Sequence, residues 1–138
     1  MFDQCLYFNT SALARRLERE WSGAFQVFGL TPPQAFMLRA ILNHPGLLQS
    51  ELSNELSIAR PTATRALDGL EVRGYVERRA TDGDGREVSV WPTPEAIRIK
   101  VALNEASGAV TTRLKKILGG LQFNDAVGKI RSVRAALE

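Results

Sequence analysis

A chain of 138 residues with 44% hydrophobic and 24% charged side chains is long enough to bury a core in one unit and too apolar to be disordered. Its 18 lysines and arginines against 15 aspartates and glutamates leave a net charge of +3, which permits a polyanionic partner without identifying one. With Cys5 the single cysteine and His44 the single histidine, an intrachain disulfide is excluded and ligands for a zinc site are too few, so neither metal nor cofactor is expected.

The first residues, Met1-Phe2-Asp3-Gln4, lack the basic and apolar regions of a signal peptide. No apolar run nears the roughly 20 residues of a membrane helix. A reduced, cytoplasmic protein without membrane attachment is the expectation. Leu6, Leu13, Leu17, Trp21, Ala24 and Phe28 recur at threes and fours, predicting a long helix over residues 5–28 that Gly29 ends. Thr31 caps a second helix with prolines in its first turn, and Phe36, Leu38, Ile41 and Leu42 carry it to His44-Pro45-Gly46. A short third helix fits residues 49–56. After the turn Ser57-Ile58-Ala59, a fourth runs over residues 60–73 to Gly74. Two strands, 75–80 and 87–91, flank a Gly/Asp-rich hairpin loop over 81–86. Thr93 and Pro94 then start a long helix to residue 118, Gly119-Gly120 breaks it, and a last helix covers 124–137.

The order is ααααββαα: mainly α, with a small β-hairpin. Two short helices joined by a three-residue turn and followed by a hairpin have the layout of a winged helix-turn-helix, here about residues 32–92 of a single 1–138 unit. Within the fourth helix, Ala63, Leu67 and Leu70 form a narrow apolar stripe suited to pack on Leu52 and Leu56. The rest of its first two turns carries Arg60, Pro61, Thr62, Thr64 and Arg65. Hydroxyls and guanidinium groups at a helix start suit phosphate and base edges, since the dipole favours anions and an arginine fork matches guanine O6 and N7. A solvated polar face is the plainer alternative for such a helix taken alone. At the hairpin tip Arg86 can reach a minor groove, with Asp84 either holding its guanidinium or folding the turn. At the hairpin base Arg79 is a phosphate candidate and Arg78 a structural one. Catalytic motifs are missing, so no enzyme is expected.

Ser50-Glu51-Leu52, the run from Pro61 to Glu71, the run from Gly74 to Arg79, Asp84-Gly85-Arg86 and Thr93 together resemble the MarR family of transcription regulators. The resemblance spans essentially the whole chain, without gaps from the fourth helix through the hairpin. It implies a homodimer whose terminal regions, about 1–28 and 94–138, intertwine. It also implies that Thr62, Thr64 and Arg65 face the major groove of double-stranded DNA while Arg86 enters the minor groove. Ala59 departs from the hydroxyl residue that commonly caps the recognition helix, Gly85 from a frequent second wing arginine, and Pro92 and Ala96 from the usual leucine and glycine.

Independently, Leu6, Tyr7, Phe8, Leu13, Leu17, Trp21 and Phe25 give the first helix more apolar surface than one lobe covers, which points to a second copy. The implied function is a repressor binding a pseudo-palindromic operator and released by a small, often aromatic, effector. Trp21, Phe25, Phe36 and His44 are candidate lining for it, although aromatic residues at helical spacing are more often core. Cys5 offers an alternative, peroxide sensing, as in relatives with a cysteine near the start of the first helix. The tyrosines expected beyond it are replaced by Asn9 and Arg19. A winged-helix module that binds protein and not DNA is the remaining reading.

Overall fold

A computed structural model describes residues 1–82 and 87–138. Among the described residues the elements run α1 (Leu6–Phe25), α2 (Pro32–Asn43), β1 (Leu47–Leu48), α3 (Gln49–Glu55), α4 (Arg60–Val72), β2 (Val76–Ala80), β3 (Val88–Pro92), α5 (Pro94–Leu118) and α6 (Gly120–Leu137). The expected helices and both wing strands are present, so the fold is a winged helix-turn-helix flanked by longer helices.

The core is organised around α2. Thr31 starts it with a reciprocal cap: its hydroxyl accepts from the Gln34 amide at 3.4 Å, and the Gln34 side chain accepts from the Thr31 amide at 3.0 Å. Ala35, Met37, Leu38, Ile41 and Leu42 of α2 are buried. Against them pack Phe25 of α1, Leu52 of α3, Ala63, Ala66, Leu67 and Leu70 of α4, Val76 and Val90 of the sheet, and Ala96 and Leu103 of α5. The stripe read from the fourth helix is therefore its buried face, with Ala66 added. Phe36, expected among the apolar positions of α2, is instead exposed at 39%.

Beyond shifts of one residue at element ends, three features differ from expectation. The first helix closes at Phe25, and Gln26–Phe28 tighten into a 3-10 turn before Gly29, whose φ of 69° is left-handed. The hairpin gains a third strand, because β1 pairs antiparallel with β3 through Leu47 opposite Val90 and Leu48 opposite Ser89. The sheet order is β1-β3-β2. Gly46 makes this approach possible: its φ is 91°, its amide donates to the Val90 carbonyl at 2.9 Å, and a side chain there would collide with the Trp91 ring. Finally, only Gly119 of the Gly119-Gly120 pair breaks the chain. Its amide closes α5 on the Lys115 carbonyl at 2.8 Å and its carbonyl accepts from Phe123 at 2.9 Å, so α6 starts at Gly120, four residues before the expected 124.

The flanking helices are held to the lobe on one side and open on the other. Phe25 is fully buried, whereas Leu6, Tyr7, Phe8 and Leu13 on the same helix are exposed. No residue of α6 is buried. Arg134 of α6 donates to the Ser57 hydroxyl at 2.9 Å, so the end of α6 touches the turn between α3 and α4.

Leu67 is fully buried between α4 and the rest of the core. Leu67→Ala is expected to lower the urea-unfolding free energy by about 2–5 kcal/mol. Val72→Ala, at an exposed site on the same helix, should change it by no more than about 0.5 kcal/mol.

Candidate nucleic-acid interface

The geometry of α4 follows from the turn before it. Ser57 adopts a left-handed φ of 53°, and the Ile58 amide then donates to the Ser53 carbonyl at 3.1 Å while its side chain packs on the core. Ala59 is extended, and α4 begins without a side-chain cap. The hydroxyl missing at this position, noted as a departure from the family pattern, is thus not replaced from elsewhere. Pro61 occupies the first turn, where its absent N–H has no helical partner to lose.

With Ala63, Ala66, Leu67 and Leu70 turned inward, Arg60, Pro61, Thr64 and Arg65 form the exposed face and Thr62 sits half-buried beside them. Arg65 donates to the Thr62 hydroxyl at a long 3.4 Å. Among the described residues, no carboxylate forms an ion pair with Arg60 or Arg65. Thr64 is held twice: its hydroxyl donates to the Arg60 carbonyl at 3.0 Å and accepts from Gln49 Nε2 at 3.1 Å. Gln49, Ser50, Arg60, Thr64 and Glu87 share a groove between α3, α4 and the approach to β3. Gln49 carries no sequence signal for this role, because it lies 15 residues from Thr64 on a different helix.

The two hairpin arginines separate clearly. Arg78 is half-buried and pairs with Asp68 at 2.6 Å and Glu71 at 3.8 Å, fastening β2 to α4. Arg79 is exposed, 3.3 Å from Glu77, with its guanidinium 4.7 Å above the Trp91 ring. A surface pair of that kind exchanges readily with a phosphate oxygen. Asp84 and Arg86 lie outside the described residues.

Of the candidate effector residues, the structure gathers three. Phe25 and Phe36 meet edge to face at 5.9 Å, and Phe36 joins Trp21, Leu17 and Pro33 in a shallow apolar cleft between α1 and α2. Phe25 is wholly core. His44 follows the far end of α2, about 12 Å along the helix axis from Phe36. Arg39 lies on the other side of Phe36, in a groove shared with Asn43, Lys100 and Asn104. Its guanidinium lies 5.1 Å from the Phe36 ring and donates to Asn104 Oδ1 at 2.8 Å and Ser107 Oγ at 2.9 Å. Ser107, buried, also accepts from the Trp21 indole at 3.0 Å, so one hydroxyl joins α1, α2 and α5. Burial holds the Arg39 pKa below its ordinary value. Its partners are 65 and 68 residues away, beyond any spacing rule.

Cys5 is exposed at the start of α1, where its sulfur accepts from the Phe8 amide at 3.4 Å. Asn9, at the position of an expected tyrosine, donates instead to the carbonyls of Cys5 at 2.8 Å and Asp3 at 3.0 Å.

Known proteins resemble this arrangement. A MarR family model matches residues 28–87. The HTH-type transcriptional repressor Rv2887 of Mycobacterium tuberculosis is 31% identical over 102 residues, covering 71% of this chain and 73% of the relative. An uncharacterised HTH-type transcriptional regulator of Bacillus subtilis, YybA, is 26% identical over 87 residues, or 63% of this chain; the match spans 58% of its own length. Many solved structures share the fold. The Staphylococcus aureus MepR–DNA complex has a TM-score of 0.85 at 17% identity, covering 95% of this chain and 96% of that one. The PcaV regulator of Streptomyces coelicolor, solved with its natural ligand, has a TM-score of 0.83 at 23% identity, covering 100% and 97%. No described helix is long and apolar enough to cross a membrane. Sequence and fold agree: the chain belongs to the MarR family of transcriptional regulators.

Proposed function

We propose that this chain reads a specific sequence in double-stranded DNA as a homodimer and represses transcription until a small molecule releases it. The observation carrying this reading is the exposed face of α4, on which Arg60 and Arg65 stand without a carboxylate partner among the described residues. Free guanidinium groups at an uncapped helix start suit phosphate and guanine. A face built to bind protein would expose apolar side chains there. The MepR complex contains DNA and Rv2887 is named a repressor, which agrees with the proposal.

The homodimer accounts for the open side of the flanking helices. Leu6 is 62% exposed, Tyr7 81% and Leu121 91%, apolar area that a twofold partner would bury. Twofold pairing would set two copies of α4 about one DNA turn apart, roughly 34 Å, on a pseudo-palindromic site.

For the releasing molecule we take a small aromatic acid, its ring against Phe36 and its carboxylate on the Arg39 side of that ring. Phe36 and Trp21 offer aromatic surface in a cleft that Glu18 also lines, and Arg39, against the Phe36 ring in the adjoining groove, is a partly buried cation bonded among the described residues to Asn104 and Ser107. PcaV, of the same fold, was solved with a ligand.

Fluorescence anisotropy against a duplex that the protein selects from a random-sequence pool should show affinity falling steeply with salt. Arg65→Ala should lose about 1–3 kcal/mol of discrimination, and Arg86→Ala should weaken binding most at A·T-rich minor grooves. A flat salt dependence with no selected sequence would point to a protein partner. Sedimentation equilibrium should give the dimer mass at micromolar concentration; a folded monomer there overturns the pairing. Benzoate, as a simple aromatic acid, is expected to raise the DNA Kd of the native chain and not of Arg39→Ala. Equal responses of the two would remove Arg39 from the effector site.

A further inference from the structure

We infer that Thr64 reads DNA through its methyl group, contacting the 5-methyl of a thymine, and that its hydroxyl takes no part in binding phosphate. The inference deepens the DNA-reading proposal and rests on it.

A threonine hydroxyl has one proton to donate and two lone pairs to accept with. In Thr64 the proton goes to the Arg60 carbonyl at 3.0 Å, and one lone pair takes the Gln49 amide at 3.1 Å. Phosphate oxygens only accept hydrogen bonds. To bind one, Thr64 would have to withdraw its proton from Arg60, while Gln49 still held its oxygen from the other side. The methyl has no such commitment. The side chain is exposed at the centre of the polar face of α4, between Arg60 and Arg65, where a major-groove edge would lie. Thymine is the base that presents a methyl group in that groove.

Arg65 differs in kind. Its bond to Thr62 is 3.4 Å long and it forms no ion pair with a described carboxylate, so its fork stays available for hydrogen-bonded readout. The face therefore combines a guanidinium reader with an apolar one. Gln49, on α3, acts as a positioning residue that fixes which end of Thr64 faces outward.

The test replaces each thymine of the selected duplex in turn by deoxyuridine, which deletes the methyl and keeps the pairing. With the full-length native protein, one position should lose about fourfold in affinity, the worth of one buried methyl group. Thr64→Ser, which keeps the hydroxyl, should bind the thymine duplex about fourfold more weakly and lose sensitivity to uracil at that position. Thr64→Val, which keeps methyl groups and removes the hydroxyl, should bind and discriminate like the native chain. Circular dichroism melting checks that both variants fold. If Thr64→Val loses affinity while Thr64→Ser does not, the hydroxyl is the reader and the inference is overturned. It is equally overturned if no uracil substitution weakens native binding or if Thr64→Ser retains full sensitivity. Failure to select any sequence would refute the DNA-reading proposal itself, a different result from binding without thymine preference.

Discussion

The winged lobe depends on the burial of α2. Five of its twelve residues are buried, and α1, α3, α4, α5 and the sheet each contribute side chains to the cluster they form. Close packing of this kind leaves α4 little freedom to roll. Rotation by even one residue position, about 100° in a helix, would expose Leu70 and bury Arg60 or Thr64 in apolar surroundings. The outward face is thus defined by what must be inward. The same constraint limits α5, whose Ala96 and Leu103 pack on the lobe before the helix continues past it.

Much of this is written locally. The Ala63, Leu67 and Leu70 spacing assigns the faces of α4 without tertiary information, and Thr31 and Thr93 mark helix starts that the structure places where the sequence suggests. What escapes local reading has a common cause. A two-residue strand such as β1 has no alternation to detect and exists because Gly46 lets the chain approach β3. The Gly119-Gly120 pair reads as a double break, although only Gly119 takes a left-handed φ and Gly120 is helical. Phe36 fits an apolar pattern by type but falls on the side of α2 that faces the cleft.

Side-chain partnerships were the least legible part of the site. Thr62, Thr64 and Arg65 can be named as candidates from their position on one helix; the Gln49 bond that occupies the Thr64 hydroxyl cannot. Trp21 was identifiable as an aromatic residue on α1, whereas the Ser107 hydroxyl that joins it to Arg39 needed the packing of α1, α2 and α5. Arg78 and Arg79 are adjacent and chemically identical, yet one is fixed by Asp68 and Glu71 and the other lies on an indole. Their difference comes from strand alternation, which turns neighbouring side chains to opposite faces.

The two tryptophans divide the molecule optically. Trp21 donates its indole N–H to Ser107 in the cleft between α1 and α2, and Trp91 donates to Ser89 in the wing beneath Arg79. Each indole has a serine oxygen at one end and a guanidinium close by, so each emission spectrum responds to displacement of a nearby charge. Because the chain holds no third tryptophan, replacing one with phenylalanine leaves a single-site reporter of the other region. Events at the cleft and at the wing can then be timed separately in the unlabelled protein, and their order becomes a measurable quantity.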